Sequence, residues 1–141
     1  MNNRRNNVAL LAALWALLFG LLHVLWATGM YVGLPAEQAK EAFKRNWFYV
    51  YNLVATSLFF LAVALAVALY IGKTTRKKFV IVCAWFCSVI LLLRGTAAVL
   101  SYLYFMLDSA PNRTWITFWD IWFITGGLLF LTSTRRFQRQ V

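Results

Sequence analysis

Four long stretches of almost purely apolar residues limit what this chain can fold into. They cover residues 8–31, 47–71, 79–104 and 115–133, and the segments between them are short. A helix needs roughly 20 apolar residues to cross the hydrocarbon core of a bilayer. Of all residues, 62% are hydrophobic and only 13% are charged, which leaves little for a water-soluble domain. The sequence therefore predicts an all-α protein whose residues 1–141 form a single transmembrane domain of four helices.

Basic residues are concentrated beside the ends of the apolar stretches. Arg4 and Arg5 precede the first stretch, four basic residues lie in 72–78, and three follow the last stretch in 134–141. Short cytoplasmic loops of membrane proteins carry an excess of Lys and Arg. Short connections also make neighbouring helices antiparallel. We therefore expect an up-down-up-down four-helix bundle with both termini in the cytoplasm, an N-in and C-in topology.

Two segments need a separate interpretation. The first apolar run follows Arg4 and Arg5 as a secretory signal would, but it is longer than the 7–15 residues of a signal core, so we expect an uncleaved helix. The longest connection, residues 32–46, has Pro35 where a first helical turn would begin. Alanines and Phe43 follow at helical spacing, with charged residues on the other faces. This pattern predicts a short interfacial helix at the outer membrane surface.

Several function classes are disfavoured by composition. The formal net charge of +10 does not indicate nucleic acid binding, because the basic residues adjoin membrane ends, where anionic lipid attracts them. The chain has one histidine, and both glutamates lie in the outer loop, so we expect no metal site. No serine lies beside a second polar residue in a pattern typical of a nucleophilic triad. A phosphate-binding glycine loop is also missing, and we expect no cofactor.

Four strongly polar side chains fall within the predicted spans: His23, Asn52, Arg94 and Asp120. In hydrocarbon, an ionisable side chain is costly unless it faces protein or water and finds a partner. Counted along the helices, all four lie in the outer half of the membrane, and His23, Arg94 and Asp120 lie at nearly one depth. A guanidinium and a carboxylate at one depth can pair. We therefore predict an Arg94–Asp120 ion pair, with His23 and Asn52 near enough to complete one network.

The spacing of neighbouring residues predicts that these four side chains point into the bundle. Small residues mark close helix packing in membranes, and an alternating spacing of three and four residues marks a packed face. On the first two helices, small residues share a face with the polar side chain: Ala12, Ala16 and Gly20 with His23, and Ala55, Ala62 and Ala66 with Asn52. On the third helix the predicted inward row is Cys83, Cys87, Ile90, Arg94, Ala97 and Ser101. On the fourth helix it is Asp120, Ile124, Gly127, Leu131 and Thr134.

Tryptophan and tyrosine residues crowd the outer ends of the predicted helices. Such residues usually anchor helices at the level of the headgroups, and the remainder can line a mouth that leads to the polar side chains. An arginine in a half-buried aromatic pocket suits the anionic head of an amphiphile. The predicted ligand-binding residues are His23, Trp26, Tyr51, Asn52, Arg94, Trp119 and Asp120.

Short motifs on three of the predicted helices carry a family resemblance. They are His23-Val24-Leu25-Trp26-Ala27-Thr28-Gly29 with Gly33-Leu34-Pro35, then Arg94-Gly95, and then Trp119-Asp120 with Gly126-Gly127. With these motifs the chain resembles a bacterial family of small four-helix membrane proteins of unknown function. The resemblance implies a multi-pass protein of the bacterial cytoplasmic membrane and brings no activity with it.

The sequence leaves three functions open. The first is a binding or transport-accessory protein that holds a lipid or another amphiphile in an outer-half pocket. The second is a membrane enzyme that acts on a lipid-like substrate, with His23 as acid or base oriented by Asp120. The third is a structural or assembly subunit without a small ligand, whose small-residue faces associate in a homo-oligomer or with another membrane protein. In that third case the polar side chains only fix the packing of the helices.

Overall fold

The structure, a computed structural model, describes residues 6–30, 32–33, 46–72, 75–106 and 114–140. Nearly all of these residues belong to four α-helices: α1 (Asn7–Ala27), α2 (Asn46–Ile71), α3 (Lys77–Met106) and α4 (Thr114–Gln138). The described ranges contain no strand. The predicted all-α fold with four packed helices is therefore confirmed. The short helix predicted within 32–46 lies almost wholly outside the described residues.

Helix α1 ends at Ala27 rather than at residue 31, and the hydrogen bonds of the next turn explain why. Gly29 has a φ of 94°, a left-handed conformation that glycine adopts without strain. The Gly29 N–H donates to the Trp26 carbonyl at 3.3 Å, and the Met30 N–H donates to the Leu25 carbonyl at 2.9 Å. These two bonds form a Schellman motif, which satisfies the last carbonyls of the helix and stops it.

Helix α4 extends beyond the end predicted at residue 133, as far as Gln138. The added turns contain no glycine or proline that would interrupt them. Arg135 and Arg136 lie in the last turn, where positive charge interacts favourably with the negative end of the helix dipole. The helix therefore continues past the apolar run on which the prediction was based.

The helices associate as two pairs. α1 packs along α2, α3 packs along α4, and the two pairs meet mainly where α1 contacts α4. One cluster of buried side chains joins the start of α1, through Ala9, to Leu69 near the end of α2 and Phe137 at the end of α4. The side-chain amide of Asn6 also donates to the Ser133 carbonyl at 2.8 Å. By contrast, α2 makes few contacts with α3.

Most of the predicted inward faces are buried, but the row predicted on α3 is wrong. The small residues on α1 and α2 that share faces with His23 and Asn52 are buried as predicted. On α3 the buried row is instead Ala84, Ser88, Leu91 and Gly95, while Ile90, Arg94, Ala97 and Ser101 are exposed. The reason is that α3 turns its Ser88–Gly95 side toward α4, and α2 covers little of the predicted row.

The outside of the bundle is apolar. Large hydrophobic side chains are exposed on every helix, for example Leu18, Leu61, Phe86 and Leu128. Among the described residues, three helical segments are long and apolar enough to cross a membrane: Asn7–Ala27, Tyr49–Ile71 and Lys77–Tyr104. Helix α4 is less apolar than the other three and is not among them. The sequence-based prediction of four spans is thus supported for three helices.

Candidate functional site

An aromatic cluster fills the interior between α1, α2 and α4. Its centre is Phe19, which is 3% exposed. Seven rings lie around Phe19 at centroid distances from 4.9 to 6.2 Å: Trp15, His23, Trp26, Phe59, Trp119, Trp122 and Phe123. Edge-to-face and offset arrangements dominate, as expected from the quadrupoles of aromatic rings. The sequence analysis missed Phe19 and Phe59, because an aromatic residue inside an apolar run does not stand out.

His23 and Asn52 form a hydrogen-bonded pair between α1 and α2. The two side chains are buried, and His23 Nδ1 lies 2.8 Å from Asn52 Oδ1. Because a carboxamide oxygen only accepts, this pairing requires a proton on Nδ1 of His23. The imidazole stacks on Phe59 at a centroid distance of 5.5 Å and meets the edge of Trp26 at 4.8 Å. Tyr51, also a predicted site residue, lies 6.0 Å from the imidazole but is largely exposed.

Arg94 and Asp120 form the predicted ion pair between α3 and α4, with unequal burial. Arg94 Nη1 lies 3.4 Å from Asp120 Oδ1, and the side chains are 54% and 1% exposed, respectively. Charge-assisted hydrogen bonds are usually 2.7–2.9 Å long, so this contact is loose. Asp120 Oδ2 is buried and has no hydrogen-bond partner among the described residues. The Arg94 guanidinium also lies 5.2 Å from the centre of the Phe123 ring, a cation–π contact.

A close helix crossing positions the ion pair. Ser88 on α3 donates to the Gly127 carbonyl on α4 at 2.9 Å. One residue after Arg94, Gly95 allows the two backbones to approach, since a Cβ atom there would lie 2.7 Å from the Asp120 carbonyl oxygen. The position of Arg94 beside Asp120 therefore depends on a glycine at position 95, because a larger residue there would hold the two helices apart.

The four polar side chains form two pairs rather than the single network predicted from the sequence. His23 bonds to Asn52 on one helix pair, and Arg94 contacts Asp120 on the other. Aromatic rings fill the space between them, because Phe123 contacts both Arg94 and the rings around Phe19. The predicted orientation of His23 by Asp120 is consequently not formed.

Three tryptophans, among them the predicted site residues Trp26 and Trp119, lie wholly or partly inside the bundle. Trp26 is 6% exposed and donates through Nε1 to the Val32 carbonyl at 2.9 Å. Trp119 and Trp122 are partly buried, and their Nε1 atoms have no hydrogen-bond partner among the described residues. Gly33 lies over Trp119, where an added Cβ would come within 3.3 Å of the ring. The start of the connection between α1 and α2 therefore covers one end of the aromatic cluster.

The arrangement offers anion binding more readily than metal binding. The described part of the chain has no group of three or more His, Cys, Asp or Glu residues that could hold a metal ion. What it does have is a half-exposed guanidinium with one loose contact, beside a buried carboxylate oxygen that accepts no hydrogen bond. Such groups can bind an anion and a hydrogen-bond donor, respectively.

Comparison with known proteins identifies the family. No curated protein and no solved structure matches the chain. A family described as proteins of unknown function, DUF3995, matches residues 16–130, a range that begins within α1 and ends within α4. The matched range contains all seven site residues predicted from the sequence and most of the chain, and the chain accordingly belongs to the DUF3995 family.

Proposed function

We propose that the chain is an integral membrane protein of four spans that binds the anionic group of an amphiphile headgroup at Arg94. The apolar exterior supports the membrane location, because large exposed apolar surfaces are rare on soluble monomers. The same argument includes α4, on which Phe118, Ile121 and Leu128 are exposed. Lipid around the bundle would cover these side chains as it covers those of the other three helices.

The proposed topology is up-down-up-down, with both termini in the cytoplasm. It is supported by contacts between the start of α1 and the ends of α2 and α4, as in the cluster of Ala9, Leu69 and Phe137. Asp120 near the start of α4 lies against Gly95 in the later half of α3, as expected if these two helices are also antiparallel. The basic segments 72–78 and 134–141 then lie on one side, in agreement with the positive-inside rule. The family resemblance favours the bacterial cytoplasmic membrane.

The half-exposed guanidinium of Arg94 is the single observation that carries the binding proposal. A charged group on a membrane helix is costly unless it is paired. Arg94 has only a loose contact with Asp120, and more than half of its side chain faces outward. An arginine presents five N–H donors in a planar fork that suits phosphate and carboxylate groups. A headgroup anion would satisfy the donors that Asp120 leaves free.

The depth of the pair suits a headgroup rather than an acyl chain. Asp120 lies about 9 Å along α4 from its first residue, Thr114, at the rise of a regular helix. The long side chain of an arginine can reach toward the interface from this depth, as arginines near membrane surfaces do. A lipid of the outer leaflet could therefore meet the guanidinium with little displacement.

The two alternatives have less support. The enzyme hypothesis needs a carboxylate to orient His23, but His23 bonds to Asn52 and lies on the other helix pair from Asp120. The assembly hypothesis needs free small-residue faces. Ala12, Ala16, Ala62 and Ala66 are buried within the bundle itself, which leaves these faces unavailable to a partner.

Native mass spectrometry of protein extracted in a mild detergent tests the proposal. We expect a phosphate- or carboxylate-bearing amphiphile to remain bound to the wild type and to be lost from Arg94→Gln. Arg139→Gln is the matched control, because Arg139 is an exposed arginine far from the site. Thermal unfolding of each variant in the same detergent verifies that the fold survives. Equal retention by the wild type and Arg94→Gln would refute binding at Arg94.

A further inference from the structure

Arg94 and Asp120 together present a positive and a negative group at one site. We propose that the pair selects a zwitterionic phospholipid headgroup, with the phosphate on Arg94 and a primary ammonium on Asp120. This inference rests on the function proposed above and adds the chemical class of the ligand. It rests on two observations: the loose contact of the pair, and a buried Asp120 oxygen that accepts no hydrogen bond from any residue that the structure describes.

Charge balance favours a ligand without net charge. The carboxylate and the guanidinium already neutralise each other, so an anionic headgroup would leave one uncompensated negative charge in a medium of low dielectric constant. A zwitterion keeps the total at zero and gives each protein charge an opposite neighbour. In the described part of the chain, no second basic side chain contacts Asp120 to offset an added anion.

The unpartnered oxygen of Asp120 favours a headgroup that donates hydrogen bonds. Asp120 is 1% exposed, and its buried Oδ2 atom has no donor within the described ranges, which is a costly state for a carboxylate. A primary ammonium brings three N–H donors. A quaternary ammonium of the same charge brings none. The geometry therefore distinguishes phosphatidylethanolamine from phosphatidylcholine, although the two headgroups have the same net charge.

The weakly packed side of the bundle gives such a lipid access to the site. On α3, the row of Cys83, Cys87 and Arg94 lies about a quarter of a turn from the Ser88–Gly95 row that faces α4. Cys83 and Cys87 are partly buried, whereas Arg94, farther from the 72–76 connection, is exposed. Burial therefore falls along this row as contact with α2 is lost. Arg94 is the exposed member of the pair, so a headgroup that draws the guanidinium outward would also separate it from the carboxylate.

Lipid competition measured by native mass spectrometry tests the inference. The full chain in lipid-free detergent is offered equimolar phosphatidylethanolamine, phosphatidylcholine and phosphatidylglycerol with identical acyl chains. We expect phosphatidylethanolamine to bind at least about tenfold more tightly than either of the others, the factor typical of one hydrogen bond to a charged group. Tighter binding of phosphatidylglycerol, or equal binding of the two zwitterions, would overturn the selectivity.

Two variants separate this inference from the proposed function. Asp120→Asn makes the site cationic and replaces the carboxylate, so we expect the preference to move from phosphatidylethanolamine to phosphatidylglycerol by about tenfold. An unchanged order of lipid affinities in Asp120→Asn would show that Asp120 does not select the headgroup.

Arg94→Gln should no longer bind any of the three lipids. If Arg94→Gln still binds all three lipids, the proposed function fails. If Arg94→Gln binds none of them but the wild type prefers phosphatidylglycerol, only the zwitterion inference fails. Should Asp120→Asn not fold, the order measured for the wild type still decides the inference.

Discussion

Gly95 of α3 lies against the main chain of Asp120 in α4, so closely that a Cβ atom at Gly95 would be 2.7 Å from the Asp120 carbonyl oxygen. The same hypothetical Cβ would lie 2.6 Å from Ile124 Cγ1. Backbone contact between the helices is therefore what brings the carboxylate of α4 within reach of Arg94. Small residues at a crossing are typical of helices that pack in membranes.

Gly95→Leu should separate α3 from α4 and break the Arg94–Asp120 contact. Forcing a large side chain into a packed crossing costs about 1–3 kcal/mol or more, and here the obstacle is backbone, which cannot move aside. Equilibrium unfolding in lipid bicelles measures the loss. Ala97→Leu is the control, because Ala97 is exposed on the same helix. Equal stability of the two variants would contradict the close crossing.

His23 and Asn52 should show energetic coupling. Polar contacts between membrane helices contribute on average about 0.6 kcal/mol and at most about 2 kcal/mol. Since the 2.8 Å bond is buried, we expect a coupling in the upper half of that range. A double-mutant cycle with His23→Phe and Asn52→Leu, followed by unfolding in bicelles, gives this number. Strictly additive effects of the two substitutions would mean that the bond adds no stability.

Phe19→Ala should open the centre of the aromatic cluster. Removing a buried phenylalanine costs about 3–5 kcal/mol, because a cavity remains where the ring was. Tryptophan fluorescence reports on the change, as four tryptophans lie around Phe19, and we expect red-shifted emission. Leu18→Ala, at an exposed position, should change neither stability nor emission appreciably. Unchanged emission in Phe19→Ala would argue against the cluster.

The number of spans can be measured by cysteine labelling. In a Cys83→Ala/Cys87→Ala background, three variants each carry one new cysteine, in place of Thr75, Ser109 or Arg139. These positions lie between α2 and α3, between α3 and α4, and after α4, respectively. Four spans predict that positions 75 and 139 react from the cytoplasmic side and position 109 from the outside. Labelling of 109 and 139 from the same side would show that α4 does not cross the membrane, and labelling of 75 from the opposite side would show that α3 does.

The number of helices and the Arg94–Asp120 ion pair could be predicted from the sequence. Both follow from the lengths of the apolar runs and from the positions of charged residues within them. A run of roughly 20 apolar residues indicates a membrane-spanning length regardless of its neighbours. Arg94 and Asp120 are rare residues in such runs, and equal depth was enough to pair them. The His23–Asn52 contact was not predicted as a pair, because Asn52 was not counted to the same depth as His23, and the sequence could not show that the two pairs remain separate.

The α3 face and the aromatic cluster could not be predicted, for different physical reasons. The row through Arg94 has the spacing of a packed face, but spacing does not reveal which neighbour approaches the helix. Contact with α4 selects the row of Ser88 and Gly95, because only that row allows the backbones to meet. Phe19 and Phe59 lie in runs where every residue is apolar, so periodicity gives no contrast between the inside and the lipid side.

The Arg94→Met/Asp120→Leu double variant tests the central claim most directly. Replacing both charges with apolar side chains of similar size should leave the bundle folded, because removing both partners together leaves no uncompensated charge on Asp120, the buried member of the pair. The variant should then unfold at nearly the temperature of the wild type in detergent. Native mass spectrometry of the same sample should find it without the bound amphiphile. A folded double variant that retains the amphiphile as the wild type does would show that the pair is structural and that the binding site lies elsewhere.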